Sequence, residues 1–107
     1  MPAGDTIIGT VEIAANNGTA DIRPGVGEEW IVHNIGYGPE AASAAWNGNL
    51  ELWMVEDSGQ IFKIDSDNAF GMWGGRTYHL TNTHYLQLKN THATLPVCAR
   101  YDGVQWK

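Results

Sequence analysis

Four histidines are the residues of this sequence best suited to binding a metal, so their spacing is the first test of its chemistry. His33 falls in a predicted strand, His79 and His84 lie on either side of a predicted turn, and His92 follows a further strand. Zinc and iron sites often use closely spaced ligands, and this chain has no His-x-His, no His-x-x-x-His and no cysteine pair. The paired histidines and downstream glutamate of a cupin are also missing. We therefore expect no metal and no cofactor; a small metalloprotein is the alternative if the fold gathers the histidines.

Acidic residues occur together at three places. Glu28 and Glu29 precede a predicted strand, and Glu56 and Asp57 occupy a predicted turn, where carboxylates normally point to water. Either pair could in principle form a glycosidase dyad, but a domain of this size offers little room for the cleft. The run Asp65–Asn68 has oxygen donors at alternate positions, yet it lacks the glycine and the distal glutamate of an EF-hand calcium loop. We interpret all three as solvated acidic segments.

No residue has the surroundings of an enzyme nucleophile. Cys98 is the single cysteine and lies in the strand-like run Leu95–Tyr101, where we interpret it as a small buried side chain. A single cysteine also excludes an internal disulfide framework. The chain contains neither a serine nucleophile elbow nor a phosphate-binding glycine loop. The sequence therefore predicts a protein that is not an enzyme.

Charge and composition limit the kinds of partner that the protein is expected to bind. The 107 residues include twelve acidic and six basic side chains, for a formal charge of −6, and no cluster of lysine or arginine. Nucleic-acid binding is disfavoured because neutralising phosphates requires a basic face. There is no apolar run of about twenty residues and no signal peptide, so we expect neither a membrane partner nor secretion, and assign synthesis to the cytosol.

The stretch Asn49–Ile64 organises the predicted fold. Two runs of alternating residues flank the turn Asp57–Gly59, which predicts a β-hairpin, with Phe62 and Ile64 on one face of its second strand. Strands with one apolar face need a second sheet to cover them. The hairpin therefore implies a fold of two β layers.

Further strands are predicted on both sides of this hairpin, with no long helix. Asn16–Gly18 is predicted to be a hairpin turn with positive φ, and Asp102-Gly103 a final turn. About eight strands in all indicate an all-β protein, an antiparallel β-sandwich of jelly-roll or Greek-key type. Residues 1–5 should form a flexible N-terminal arm and residues 6–107 a single β-sandwich domain. Besides the hairpin, the predicted strands are Thr6–Ala14, Thr19–Ile22, Glu28–Gly36, Arg76–Thr81, Tyr85–Lys89 and Thr94–Tyr101.

Aromatic residues are more numerous than a core of this size requires. The chain has five tryptophans and four tyrosines, and such side chains are enriched where proteins meet partners. The strand Glu28–Gly36 is also apolar on both faces, with Trp30, Val32 and Asn34 on one and Ile31, His33 and Ile35 on the other. The candidate partner-contact residues are Trp30, His33, Tyr37, Trp46, Trp73 and Tyr85.

Two segments together resemble a known class of protein. Ile22–Ile35 contains the pattern Pro-x-x-Gly-Glu-x-Trp, and Leu80–Asn90 reads Leu-Thr-x-x-x-Tyr-Leu-x-Leu-x-Asn. A strand introduced by proline and glycine, a central hairpin and then this second pattern are similar to small β-sandwich virion proteins of tailed phages. Capsid decoration or cement proteins are the members that the chain resembles most.

The resemblance implies a structural role. It predicts a homotrimer on the outer capsid surface that binds the major capsid protein across neighbouring coat subunits, after synthesis in the host cytoplasm. Its subunit interface would use one face of Glu28–Gly36 and parts of the last three strands. The alternative is a glycan-binding β-sandwich module of a phage fibre or host-recognition device, in which Trp46 and Trp73 would stack on sugar rings.

Overall fold

A computed structural model of the chain describes residues 4–39, 50–56, 59–67, 71–74, 76–92 and 95–107, and these residues form strands and turns. No helix within this part of the chain is long and apolar enough to span a membrane. Nine strands are present in the described residues: β1 (Thr6–Ile13), β2 (Gly18–Ile22), β3 (Glu29–Pro39), β4 (Leu50–Glu56), β5 (Gly59–Asp67), β6 (Gly71–Trp73), β7 (Tyr78–Thr81), β8 (His84–Asn90) and β9 (Val97–Gln105).

The strands form two antiparallel sheets. Sheet 1 has the order β1-β9-β3-β6, with β7 pairing with a second part of β3, and sheet 2 has the order β2-β8-β4-β5. The predicted all-β sandwich is therefore confirmed. The choice between jelly-roll and Greek-key type stays a prediction.

The organising hairpin is confirmed as the antiparallel pair β4 and β5, but β5 does not keep the simple alternation predicted for it. Leu52 pairs with Asp65 and Trp53 with Lys63, so Ile64 is an extra residue in the register. A second shift follows between the pairs of Met54 and Val55. Such bulges bend an edge strand and break its periodicity of two.

The turn after β1 has the predicted backbone conformation, but it does not join two paired strands. Asn16 and Asn17 have φ values of 60° and 66°, as the Asn-Asn-Gly sequence predicts. However, β1 pairs with β9 and β2 pairs with β8, so the chain passes from one sheet to the other at this turn. The predicted hairpin between the two strands is wrong, because a turn fixes the backbone locally and not the partners of the strands that follow.

A bulge in β3 changes which side chains of this strand face the core. Val32 pairs with Gly103 and Asn34 with Asp102, which leaves His33 as the extra residue. Ile35 consequently joins Val32 in the core, while Asn34 lies outside and donates a 3.0 Å hydrogen bond to the carboxylate of Asp102. The strict alternation predicted over Glu28–Gly36 is therefore wrong from His33 onward.

Gly103 lies within a strand and not in the predicted final turn. It is part of β9 and lies between Ile7 of β1 and Val32 of β3. A Cβ atom at this position would collide with the carbonyl oxygen of Ile31 and the Cα of Val32. Glycine is needed here because the backbone of β3 approaches closely beside its bulge.

The core fills the space between the sheets with aliphatic and aromatic side chains from both. Both sheets contribute one face of alternating residues, as expected for a sandwich. In β1, Gly9 has no side chain, and the ring of Tyr101 occupies the space that a Cβ atom would take there. The main buried cluster comprises Ile13, Ile22, Val32, Ile35, Leu50, Leu52, Trp73, Tyr78, Leu80, Leu86, Leu88, Val97 and Ala99.

Two similar triplets, Asn82-Thr83-His84 and Asn90-Thr91-His92, lie at opposite ends of β8. The amide of Asn82 donates to the carbonyl of Pro24 at 3.0 Å. The amide of Asn90 is fully buried and donates to the carbonyls of Ile13 at 3.1 Å and Leu95 at 2.8 Å. Each asparagine therefore ties one end of β8 to a segment distant in sequence.

The start of the described chain is tied to the last strand. The backbone nitrogen of Gly4 donates to the carbonyl of Gln105 at 2.7 Å, and Gln105 donates in return to the carbonyl of Asp5 at 2.8 Å. Gly4 and Asp5 are thus hydrogen-bonded to β9, and the flexible arm over residues 1–5 stays a prediction. Residues 1–3 lie outside the described part of the chain.

Candidate functional site

Three of the aromatic residues predicted to contact a partner are used largely within the monomer. The indole nitrogen of Trp30 donates to the side-chain oxygen of Gln105 at 2.9 Å, and its ring stacks on Tyr101 with centroids 6.1 Å apart. The ring of Tyr37 lies 4.3 Å from that of Trp73, which is only 5% exposed. Trp73 thus offers almost no surface to a partner or to a sugar ring.

Two of the other three candidates lie in the described part of the chain. Tyr85 is 9% exposed, and the guanidinium of Arg23 lies 4.3 Å from the centre of its ring. His33 is exposed at the bulge of β3. Trp46 lies outside the described residues. Of the five predicted residues that the structure describes, Trp73 and Tyr85 are buried, whereas His33 is exposed.

The outer face of sheet 2 carries polar side chains that contact one another across its strands. Gln87 donates to Asp21 at 3.0 Å, and Lys63 lies 3.7 Å from the carboxylate of Glu51. The same carboxylate group accepts a 3.1 Å hydrogen bond from the indole of Trp53. Such a face is typical of the side of an antiparallel sheet that meets water.

The outer face of sheet 1 instead has an apolar patch, which consists of Ile8, Ile31 and Val104. Val104 and Ile31 are cross-strand neighbours, and Ile8 lies on the adjoining strand opposite Asp102. Ile8 is 58% exposed, while the other two side chains are half-buried. The adjacent pair Ile7 and Ile8 could have indicated this patch, because a strand must direct one of two successive side chains outward.

Trp106 lies beside this face and was not predicted, because the last strand was expected to end before it. Its backbone nitrogen donates to the carbonyl of Glu29 at 2.7 Å. The ring is 57% exposed and lies edge to face against His79, with centroids 6.0 Å apart. His79 is held in turn by the carboxylate of Glu29, at 2.8 Å, and the other oxygen of that carboxylate is 3.9 Å from the ammonium group of Lys107.

A shallow groove of about 310 Å³ lies at this end of sheet 1; Trp106 does not line it, but its chain neighbour Lys107 and its hydrogen-bond partner Glu29 do. It is lined by residues 26–29, residues 81–83 and Lys107, and we call it the end groove. Its two turns are internally braced: Glu28 accepts a 3.1 Å hydrogen bond from the nitrogen of Gly25, and Thr81 accepts one of the same length from the nitrogen of His84. The residues that line the groove therefore carry hydroxyl, carboxylate and ammonium groups, and hydrogen bonds stabilise both of its turns.

The histidines make separate contacts. His84 lies 3.1 Å from the carboxylate of Glu56, and His92 accepts a 3.0 Å hydrogen bond from the nitrogen of Leu95. His79 pairs with Glu29, as described above. Among the described residues, no three histidine, cysteine or acidic side chains are arranged to hold a metal ion.

Asp65, the first residue of the predicted acidic loop, forms an ion pair with Arg76. The guanidinium of Arg76 lies 2.5 Å from its carboxylate and also donates to the hydroxyl of Tyr78 at 3.2 Å. The hydrogen bond from Arg76, together with one from the nitrogen of Ser66, lowers the pKa of Asp65 below its usual value of 3.8. This carboxylate therefore serves an ion pair between β5 and the segment before β7.

We expect Arg76→Ala to raise the pKa of Asp65 towards its ordinary value. Because the folded pKa is lowered, the pair stabilises the fold above about pH 4 and loses this effect as the pH falls through the folded pKa. Solvent exposure limits the contribution to about 1 kcal/mol or less. NMR titration of the carboxyl carbon would measure the pKa, and an unchanged value in the variant would contradict the assignment.

Comparisons with known proteins give the fold and no family. No family model matches the chain, and no curated protein matches it. Among solved structures, the core of Drosophila NLP, a protein described for its pentamer formation and histone binding, superposes with a TM-score of 0.53. It is 17% identical, and the match covers 96% of this chain and 100% of that one. PirA matches with a TM-score of 0.40 and 18% identity over 88% of this chain and 91% of that one. What the chain shares with NLP-core is its β fold.

Proposed function

We propose that this protein is a non-enzymatic structural protein of a phage virion. In this role it decorates the capsid surface as a homo-oligomer and stabilises the capsid by binding the major capsid protein across neighbouring coat subunits. It is made in the host cytoplasm and resides on the outside of the virion. The sequence resemblance of Ile22–Ile35 and Leu80–Asn90 to decoration proteins supports the capsid as the place of assembly.

The apolar patch of sheet 1 is the observation on which the self-association part of the proposal rests. An exposed isoleucine in mid-strand with two half-buried apolar neighbours is a surface that gains free energy when it is covered. On the outer face of sheet 2, by comparison, polar side chains pair with one another across the strands. A second copy of the chain is therefore expected to contact sheet 1 from outside.

The number of copies in the oligomer can be measured directly. The sequence resemblance implies a trimer, whereas the NLP-core fold is described in connection with a pentamer. With a formal charge of −6 on each copy, repulsion opposes either ring, and added salt should favour assembly by screening it. Native mass spectrometry in volatile salt would distinguish three copies from five.

Ile8→Glu is expected to dissociate the oligomer, raising its dissociation constant about tenfold or more, because a charge would then be buried in the interface. The matched control is Thr19→Glu, which adds the same charge to an exposed position on β2 of the other sheet. Light scattering over a dilution series would report the assembly of both variants. A wild-type protein that is monomeric throughout, or equal assembly of the two variants, would contradict the proposal.

Capsid binding is tested separately. The oligomer should cosediment with assembled capsids and not bind free coat monomers, since the proposed site spans neighbouring subunits. Ile8→Glu should reduce cosedimentation through the loss of avidity, whereas Thr19→Glu should not. Equal binding to free coat monomers and to assembled capsids would reject the role in stabilising neighbouring subunits.

A further inference from the structure

We propose that the end groove and the adjacent Trp106 form a binding site for a carbohydrate, with room for one or two sugar rings. This site goes beyond the proposed structural role and does not depend on it. The argument combines the exposure of Trp106, the polar groups beside it and the balance of charge in the groove.

Trp106 differs from the other tryptophans that the structure describes. The indole nitrogens of Trp30 and Trp53 donate to side chains of the chain, and Trp73 is buried. The indole nitrogen of Trp106 makes no hydrogen bond within the described residues, and more than half of the side chain meets solvent. An exposed indole of this kind combines a large apolar surface with a hydrogen-bond donor.

Trp106 has contacts within the chain despite its exposure. Its backbone is hydrogen-bonded to Glu29, and its ring contacts His79, which the carboxylate of Glu29 holds in place. A side chain that is already positioned loses little conformational freedom when a ligand binds. This bracing favours Trp106 as the surface on which a ligand would lie.

The groove near Trp106 combines apolar and hydrogen-bonding groups, as a sugar does. Among its lining residues, Val26 is apolar, whereas Thr81, Thr83 and the two glutamates carry hydroxyl and carboxylate groups that can form hydrogen bonds. A pyranose likewise has apolar C–H faces and hydroxyl edges. The volume of about 310 Å³ is at the small end of ligand sites, which fits a mono- or disaccharide.

The charges in the groove favour a neutral ligand. The two oxygens of Glu29 face His79 and Lys107, so this carboxylate is already matched by nitrogen groups of the chain. A cationic ligand would have to compete with Lys107, and an anionic one would meet Glu28 and Glu29. A hydroxyl can donate to a carboxylate and accept from an ammonium group, and thus suits both.

Saturation-transfer NMR on the full chain would test the site, with glucose, galactose, mannose, rhamnose, N-acetylglucosamine, N-acetylgalactosamine and their disaccharides as probes. At least one probe is expected to bind with a millimolar dissociation constant. Trp106→Ala should weaken that binding about tenfold. Trp53→Ala is the matched control, because it removes an indole from the outer face of the other sheet, and it should leave binding within about twofold.

Two results would overturn the proposal: no probe gives a signal, or Trp106→Ala binds as tightly as Trp53→Ala. Amide spectra of both variants would establish that the fold is intact before binding is compared. Ile8→Glu should bind the same sugar as the unaltered chain, because Ile8 lies on β1, a strand that contributes no residue to the groove. Failure of oligomer or capsid assembly is therefore separable from failure of this site.

Discussion

Gly103→Ala should lower the free energy of unfolding by about 3 kcal/mol or more. The added carbon would collide with backbone atoms of β3, namely the carbonyl oxygen of Ile31 and the Cα of Val32. A flexible side chain could move aside, but a paired strand cannot do so without giving up its register. Urea and thermal unfolding would measure the loss, which corresponds to about 12 °C or more in Tm.

Gly36→Ala is the control for this prediction. Gly36 is also a strand glycine of sheet 1, but no heavy atom lies within 4 Å of where its Cβ would be. Its substitution should change stability by about 1 kcal/mol or less, and a slight gain is expected if the unfolded chain is restricted more than the folded one. Equal stability of the two variants would show that β3 and β9 are not as close at Gly103 as described.

Asn90→Ala is expected to cost about 3 kcal/mol. The buried amide donates to two carbonyls, of Ile13 and Leu95, and its oxygen accepts a 3.0 Å hydrogen bond from the backbone nitrogen of His92. Alanine would leave these groups without their partner in a place from which water is excluded, and each such loss costs roughly 1–3 kcal/mol. Denaturant unfolding at constant pH would measure the change.

Asn82→Ala provides the comparison from the turn at the other end of β8, where the same Asn-Thr-His sequence occurs. This side chain is only half-buried and donates to the carbonyl of Pro24. Water can replace a partner at such a site, so we expect a loss of about 1 kcal/mol. If the two variants were equally destabilised, burial of Asn90 would not be the reason for its effect.

The sequence predicted the two-layer β fold because alternating apolar residues are a local signal. The hairpin of β4 and β5 and the positive φ of Asn16 and Asn17 follow from residues next to one another. The bulge at His33 has no such signal, since it depends on how β3 lies against β9. The same is true of Gly103, whose need for glycine arises from a strand distant in sequence.

The candidate contact residues were harder to predict for a related reason. A tryptophan in a strand packs equally well inside or outside until the register of that strand is known. Trp73 and Tyr85 prove to be buried, while Trp106, placed after an expected turn, is exposed. The wrong turn at Asp102-Gly103 therefore concealed the most exposed of the described tryptophans.

The bulges of β5 bear on how copies of this protein can be crowded together. The two shifts divide the pairing of β5 with β4 into runs of three, two and two residues. An incoming strand from another molecule would find no long straight row of backbone groups along this edge, so sheet-to-sheet fusion and fibril growth are disfavoured there. Many copies held at high local density on a shared surface could thus stand side by side and keep their folds separate.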